Sequence, residues 1–367
     1  MSTPHTDADV PPGTVAMDHI TADERRLAAR NHGFLLEALR YPVTPLGLHY
    51  LLTHYDVPGI DASTWRLVVG GRVRRELTLS LEDVRARPSV TRAVTMECAG
   101  NGRMGLRPRA LSQPWDLEAV GNAEWTGTPL APLLEEAGLL DDALEIVFAG
   151  GDTGFENRIE QRYERSLTIE EAMREEVMLA YEVNGAPLPP QHGYPLRLLV
   201  PGWYGMTSVK WLSAITAVDA PFEGYQQSHA YRMRTEAGER GTALNRMRPR
   251  SLLLPPGIPD FFTRHRTARP GRIELQGRAW SGFGPIRAVE VSTDGLETWR
   301  DARLDEQPDR YGWVGWTADW DATPGEHVLA CRATDADGNT QPVEGEWNLG
   351  GYACNSVHRV PVTVAAA

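Results

Sequence analysis

The pattern changes near residue 245 of this 367-residue chain, and from Arg272 helix signals vanish and only strand and turn chemistry follows. Ile273 to Trp280, Ala288 to Ser292, Trp313 to Trp316, His327 to Ala333 and Val357 to Val364 read as short strands. Asp294-Gly295 and Asp337-Gly338-Asn339 supply turns between them. Evenly spaced short strands predict an immunoglobulin-like β-sandwich, here without the Cys…Trp…Cys hallmark of antibody domains. Arg248-Pro249-Arg250 and Pro255-Pro256-Gly257 read as the connecting segment.

Upstream, helices and strands interleave. Trp65 to Gly71 reads as a strand ending in a turn, and Ser80-Leu81-Glu82-Asp83 as a capping box opening a short helix. Thr128-Pro129 predicts a helix start that Gly138 ends, and Thr168 caps another. Val177 to Val183 reads as a strand, Asn184-Gly185 as a hairpin turn and Leu196 to Val200 as a buried strand. This mixture predicts an α+β fold. A chain of this length is too long for one core. The expected division is an extended N-terminal arm over 1–45, an α+β domain over 46–245 and the β-sandwich over 246–367.

A net charge of -12 argues against nucleic-acid or anionic-membrane partners. The three cysteines, Cys98, Cys331 and Cys354, make no disulfide framework and no zinc pair. The first residues are polar and acidic, and no run approaches membrane-spanning length. A cytoplasmic protein is the expectation.

Two strings carry chemistry. In Thr95-Met96-Glu97-Cys98-Ala99-Gly100-Asn101-Gly102-Arg103, Cys98 falls where a strand ends and a Gly-rich loop begins. A thiolate so placed suits a soft metal, and Asn and Arg donate to oxygen atoms. A buried structural cysteine is the plainer alternative. The second string runs from Asn184 to Trp211. It holds His192, Arg197 and Lys210 around one loop cluster, a set suited to a phosphate, with backbone amides of Gly205 to Ser208 as added donors. Solvated basic side chains would read the same way. Taken alone, His54 is an ordinary partly buried histidine and Asp152 a turn residue.

The Cys98 loop, the run His192-Gly193-Tyr194-Pro195-Leu196-Arg197, then Pro201-Gly202-Trp203-Tyr204-Gly205 and Val209-Lys210-Trp211 resemble the sulfite oxidase family of molybdenum enzymes. The resemblance implies a molybdenum–molybdopterin cofactor with the Cys98 sulfur on the metal. It implies that His54 and Asp152 lie against the pterin. His192, Arg197, Ser208, Val209 and Lys210 would hold its phosphate and ring. Arg103 and Tyr231 would face a small oxyanion, sulfite, which is oxidised to sulfate. The second domain would mediate homodimerisation, with Cys331 and Cys354 as structural thiols. A His-Pro-Gly-Gly haem motif is lacking, so no haem is expected and electrons would go to an external acceptor, a cytochrome or a small oxidant.

The match departs from the family at two substrate arginines, whose places are taken by Leu52 and Gly350. Arg232, Arg234, Arg246 and His229 are candidate replacement donors. Trp115 could line the substrate funnel, though core packing is the simpler reading. Alternative functions are reduction of nitrate or an S-oxide, or carriage of the cofactor without catalysis.

Overall fold

The computed structural model describes residues 20–366 and the backbone of Thr14–Val15. Two five-stranded sheets make the first domain. One runs Ala186–Pro187, Met178–Val183, Val120–Pro129, Val90–Glu97, with Arg197–Leu199 also on Met178–Val183. The other runs Leu77–Leu79, Leu67–Gly71, Ala214–Val218, Glu145–Glu156, Ile159–Thr168. Inward residues of both share one core. Leu67, Ile146, Phe148 and Ile215 of the second sheet pack with Leu179 and Leu198 of the first and with Leu133 and Leu134 of a short helix.

Local signals explain most elements. Ser80 caps the helix Leu81–Arg85 with Asp83 reciprocating, and Thr168 caps Ile169–Ala172. Asn184 and Gly185 both take positive φ, the geometry that closes the hairpin on Val183↔Ala186. One predicted start is displaced. Thr128 and Pro129 end a strand, and the helix is Ala131–Ala137, with Gly138 closing it at φ 70°. Ladder bonds to Met178–Leu179 hold Thr128 and Pro129 extended, which overrides the cap signal.

The expected extended arm over 1–45 is not what the described part of it shows. Ala22–Arg30 is an α-helix, opened by a capping box between Thr21 and Glu24. Glu24 forms a buried ion pair with Arg109, and Phe34, Ala38 and Leu39 are buried. The amphipathic stretch is short, so its fold depends on those tertiary partners rather than on periodicity. Residues 1–13 and 16–19 lie outside the described residues.

In the second domain a four-stranded sheet, Arg250–Leu253, Gly271–Trp280, Val314–Ala322, Arg303–Leu304, faces a six-stranded one centred on Ile286–Ser292, Gly325–Asp335 and His358–Val364. Trp316, Leu275, Leu329, Cys331 and Val362 fill the space between them. A further cluster joins the domains: Phe34, Leu39, Ala99, Val120 and Tyr204 pack against Leu252, Trp280, Trp313 and Ala353. No helix among the described residues is long and apolar enough to cross a membrane.

Candidate active site

Cys98 is the first residue after the strand Val90–Glu97. Its N–H donates to Ala119 O at 2.9 Å and its carbonyl accepts from Asn101 N at 3.0 Å, so the main chain is fixed on both sides. The thiol is buried, which pushes its pKa up; the charge of Arg103, the Gly100 amide and the Trp115 indole pull the other way. A metal cation would be needed to hold it as thiolate.

Two cavities meet at this sulfur. Leu52, His54, Cys98 and Tyr231 line both. The inner one, about 60 Å³, is lined on the far side by Asp152, His192, Arg197, Ser208 and Lys210. The outer one, about 430 Å³, takes in Arg103, Trp115 and Tyr352. Of the residues expected from sequence, all but Val209 therefore reach one cavity or the other. The Val209 side chain lies in the core between the sheets, and its N–H bonds Thr207 O at 2.9 Å.

The inner cavity gathers Arg197 and Lys210, with Asp152 on the same wall but in no ion pair with either. Arg197 donates to His192 O and Ser208 O, both at 3.0 Å, and its guanidinium lies 4.9 Å from the Trp125 ring centre. Lys210 Nζ donates to Leu52 O at 2.9 Å and Gln191 O at 3.1 Å. Neither touches a carboxylate there. Burial and mutual repulsion lower Lys210 to about 7, and burial lowers Arg197 to about 10. Burial likewise holds His192 down to about 2, His49 to about 4 and His54 to about 3, while it raises Asp152 to about 6. Arg197 Nε, His49 Nε2 and Thr207 Oγ1 are buried without a protein partner. A buried anionic group with several acceptor oxygens, such as a pterin phosphate, fits this set. The amides of Thr207 and Ser208 are not among its donors, since they bond Tyr204 O and Gly205 O.

Among the described residues no group of three His, Cys, Asp or Glu side chains is placed to hold a metal. Cys98 could then be only one ligand of several, the rest coming from the cofactor. That agrees with a dithiolene-bearing pterin.

On the outer side Arg103 is buried and donates to Gly351 O, Gln113 O and Gly350 O at 3.2–3.4 Å. A guanidinium has five N–H groups, so these bonds leave two for a ligand. Tyr231, at a left-handed φ of 44°, has its hydroxyl on His54 Nε2. A side chain at Gly350 would meet the Tyr352 ring at 2.3 Å, so that ring fills the space an arginine there would enter. Sequence reasoning overlooked Tyr352, His49 and Tyr163; no local motif marks them, and only the fold brings them to the cavities. Trp115 is both core and lining. Arg246 pairs with Glu171 and Arg232 with backbone carbonyls, so neither replaces the missing arginines.

Comparison with known proteins agrees with this geometry. Residues 54–226 match the family described as oxidoreductase molybdopterin binding domain, and 248–365 the Mo-co oxidoreductase dimerisation domain. The sulfite oxidase of Arabidopsis thaliana is 31% identical over 345 residues, which cover 87% of either chain. The chain belongs to the sulfite oxidase family. The mitochondrial sulfite oxidase of Mus musculus, another member, is 34% identical over 88% of this chain. The chain spans 62% of that relative's length. Among solved structures, the sulfane dehydrogenase SoxCD from Paracoccus pantotrophus superposes with TM-score 0.77 at 26% identity, covering 100% of this chain and 96% of that one.

Proposed function

We propose that this chain is a molybdenum oxidoreductase that oxidises sulfite to sulfate and passes the electrons to a separate acceptor. The observation that carries the reading is the position of Cys98 at the meeting of a buried cation-lined cavity and an open cleft. When bound, the molybdenum–pterin cofactor supplies oxygen-atom transfer and two-electron storage, so that sulfite and water become sulfate, two protons and two electrons. The chain's own residues do the rest. Arg197, Lys210 and His192 bind the phosphate, with Ser208 as a flanking contact, while Asp152 and His54 orient the ring system; Val209, whose N–H and carbonyl bond Thr207 O and Leu198 N, supports the loop from behind. Arg103 offers its two remaining N–H groups to the substrate oxygens. Tyr231 donates a hydrogen bond beside the sulfur, with His54 as its partner.

The outer cleft supports a second reading. Leu52 and Gly350 remove two charged donors, which lowers the affinity for a dianion by about 1.5–3 kcal/mol per lost bond. Tyr352 and Trp115 put aromatic surface there instead. A sulfur compound of lower charge, or an S-oxide reduced in the reverse direction, suits such a cleft better. The sulfane-oxidising relative in structure supports the former. The test is metal analysis of the purified protein, paired with steady-state assays on sulfite, nitrate and an S-oxide. Sulfite-dependent acceptor reduction by molybdenum-loaded protein is expected; metal-loaded protein inert to sulfite but active on another of these overturns the substrate, and absence of molybdenum overturns the class.

The reading takes the domains as 46–245 and 246–367, the latter an immunoglobulin-like dimerisation unit. Its hairpin tip supports a homodimer: Ile258, Phe261 and Phe262 are 73%, 82% and 87% exposed, and adjacent apolar side chains left in water mark contact surface. Light scattering is expected to give twice the 40.6 kDa chain mass. Phe261→Asp with Phe262→Asp is expected to weaken the dimer at least tenfold while the melting profile of the chain stays cooperative.

A further inference from the structure

The loop that carries Cys98 is gripped from the second domain. Glu97, the residue before it, is buried together with Arg250, and the two form an ion pair of 2.6 Å. One Glu97 oxygen accepts from Arg250 Nη1 and, at 3.0 Å, from Asn101 Nδ2; the other accepts from Trp280 Nε1 at 2.9 Å. Arg250 and Trp280 are opposite each other in one antiparallel ladder of the second domain. A single rung therefore fixes both oxygens of the carboxylate, and with them the rotation of the strand end that presents Cys98.

The grip continues along the loop. Ala353 N donates to Ala99 O at 2.8 Å, and Arg250 Nη1 also donates to Asn101 O at 3.2 Å. Arg103 reaches the carbonyls of Gly350 and Gly351. At Gly102, with φ 91°, an added Cβ would stand 2.8 Å from both Arg250 Nη2 and Cys354 O. Residues 97, 99, 101 and 103 are thus each held by the second domain, while Cys98 between them points to the cavities.

We infer that Arg250 and Trp280 are positioning residues: through Glu97 they set the direction in which the Cys98 sulfur meets its metal, so the second domain completes the active site as well as pairing chains. This rests on the reading of Cys98 as a metal ligand. A buried ion pair adds little net stability against an apolar replacement. A structural role alone would not require three donors on one carboxylate next to the ligand. Groups that orient a ligand tune the metal even though they never touch it.

The test uses the full-length, molybdenum-loaded protein with Arg250→Gln, Trp280→Phe and the paired Glu97→Gln/Arg250→Gln. Molybdenum per chain, the sulfur-to-metal charge-transfer absorption band, and kcat and KM for sulfite are measured well below the melting midpoint. Arg250→Gln is expected to keep the metal, shift the band and lower kcat about 10-fold or more, with KM within about twofold. Trp280→Phe should move both readouts the same way by less. The paired variant, which leaves no unpaired charge, should recover the melting temperature but not the wild-type band. Variants that hold metal and melt lower, yet keep the wild-type band and kcat, overturn the inference. If Arg250→Gln fails to fold, Trp280→Phe, which keeps an aromatic ring and the charge balance, decides alone. Wild-type protein without molybdenum or without the band refutes the ligand reading instead.

Discussion

Cys98→Ser is expected to leave the pterin cofactor bound and to lower sulfite-dependent turnover by about 1000-fold or more. The two halves of that expectation come from different places. Retention follows from the proposed role of the inner cavity, where Arg197, Lys210 and His192 would grip the phosphate without using the sulfur. Loss follows from ligand chemistry: a serine hydroxyl is a hard, weakly donating ligand where a polarisable thiolate stood. The substitution is close to isosteric, and the main-chain bonds to Ala119 and Asn101 remain, so the fold should be kept. Cofactor content and turnover measured on one preparation check both halves. Cofactor bound to both proteins with no turnover in either would support the carrier alternative, since storage of the pterin needs the phosphate grip but no protein sulfur on the metal.

The second large effect is expected from Arg197→Met and Lys210→Met. Each removes a charged donor of about 1.5–3 kcal/mol, roughly 10- to 150-fold in cofactor affinity. Arg197→Met should also lower the melting temperature, because the carbonyls of His192 and Ser208 lose their partner inside the protein. The affinity carries a pH signature. Burial and repulsion hold Lys210 at about 7 in the empty cavity, and a bound phosphate pulls that value back up. Above pH 7 the free lysine is neutral and binding must take up a proton, so affinity falls as pH rises. Below it the ammonium is already formed and the dependence flattens. Lys210→Met should remove most of the slope between neutral pH and the bound value, which a titration of cofactor release at several pH values reads directly.

Short-range chemistry was legible in the sequence. Ser80 and Thr168 cap the helices their motifs announce, Asn184-Gly185 makes its turn, and Cys98 does stand where a strand gives way to glycines. The convergence of His192, Arg197 and Lys210 was also legible, because all three lie within one stretch of chain. What escaped depends on distant partners. The capping box at Thr21 and Glu24 is written in the sequence, yet its helix is secured by Arg109, far along the chain. Tyr352 could not be placed beside Arg103 from spacing, since a bend at Gly350 and Gly351 turns it inward. Thr128 misled because an extended ladder outweighed a favourable cap.

The short helix Ala22–Arg30 ahead of the matched domains has a practical bearing. Leu27 and Arg30 of that helix form one wall of the entrance, and Arg30 reaches His54 O at 3.4 Å. A fragment trimmed to residues 54–365 would lose that wall, the Leu52 carbonyl that holds Lys210, and Phe34 and Leu39 of the cluster that joins the domains. Recombinant work that begins at the domain boundary would then measure a looser site than the longer chain holds.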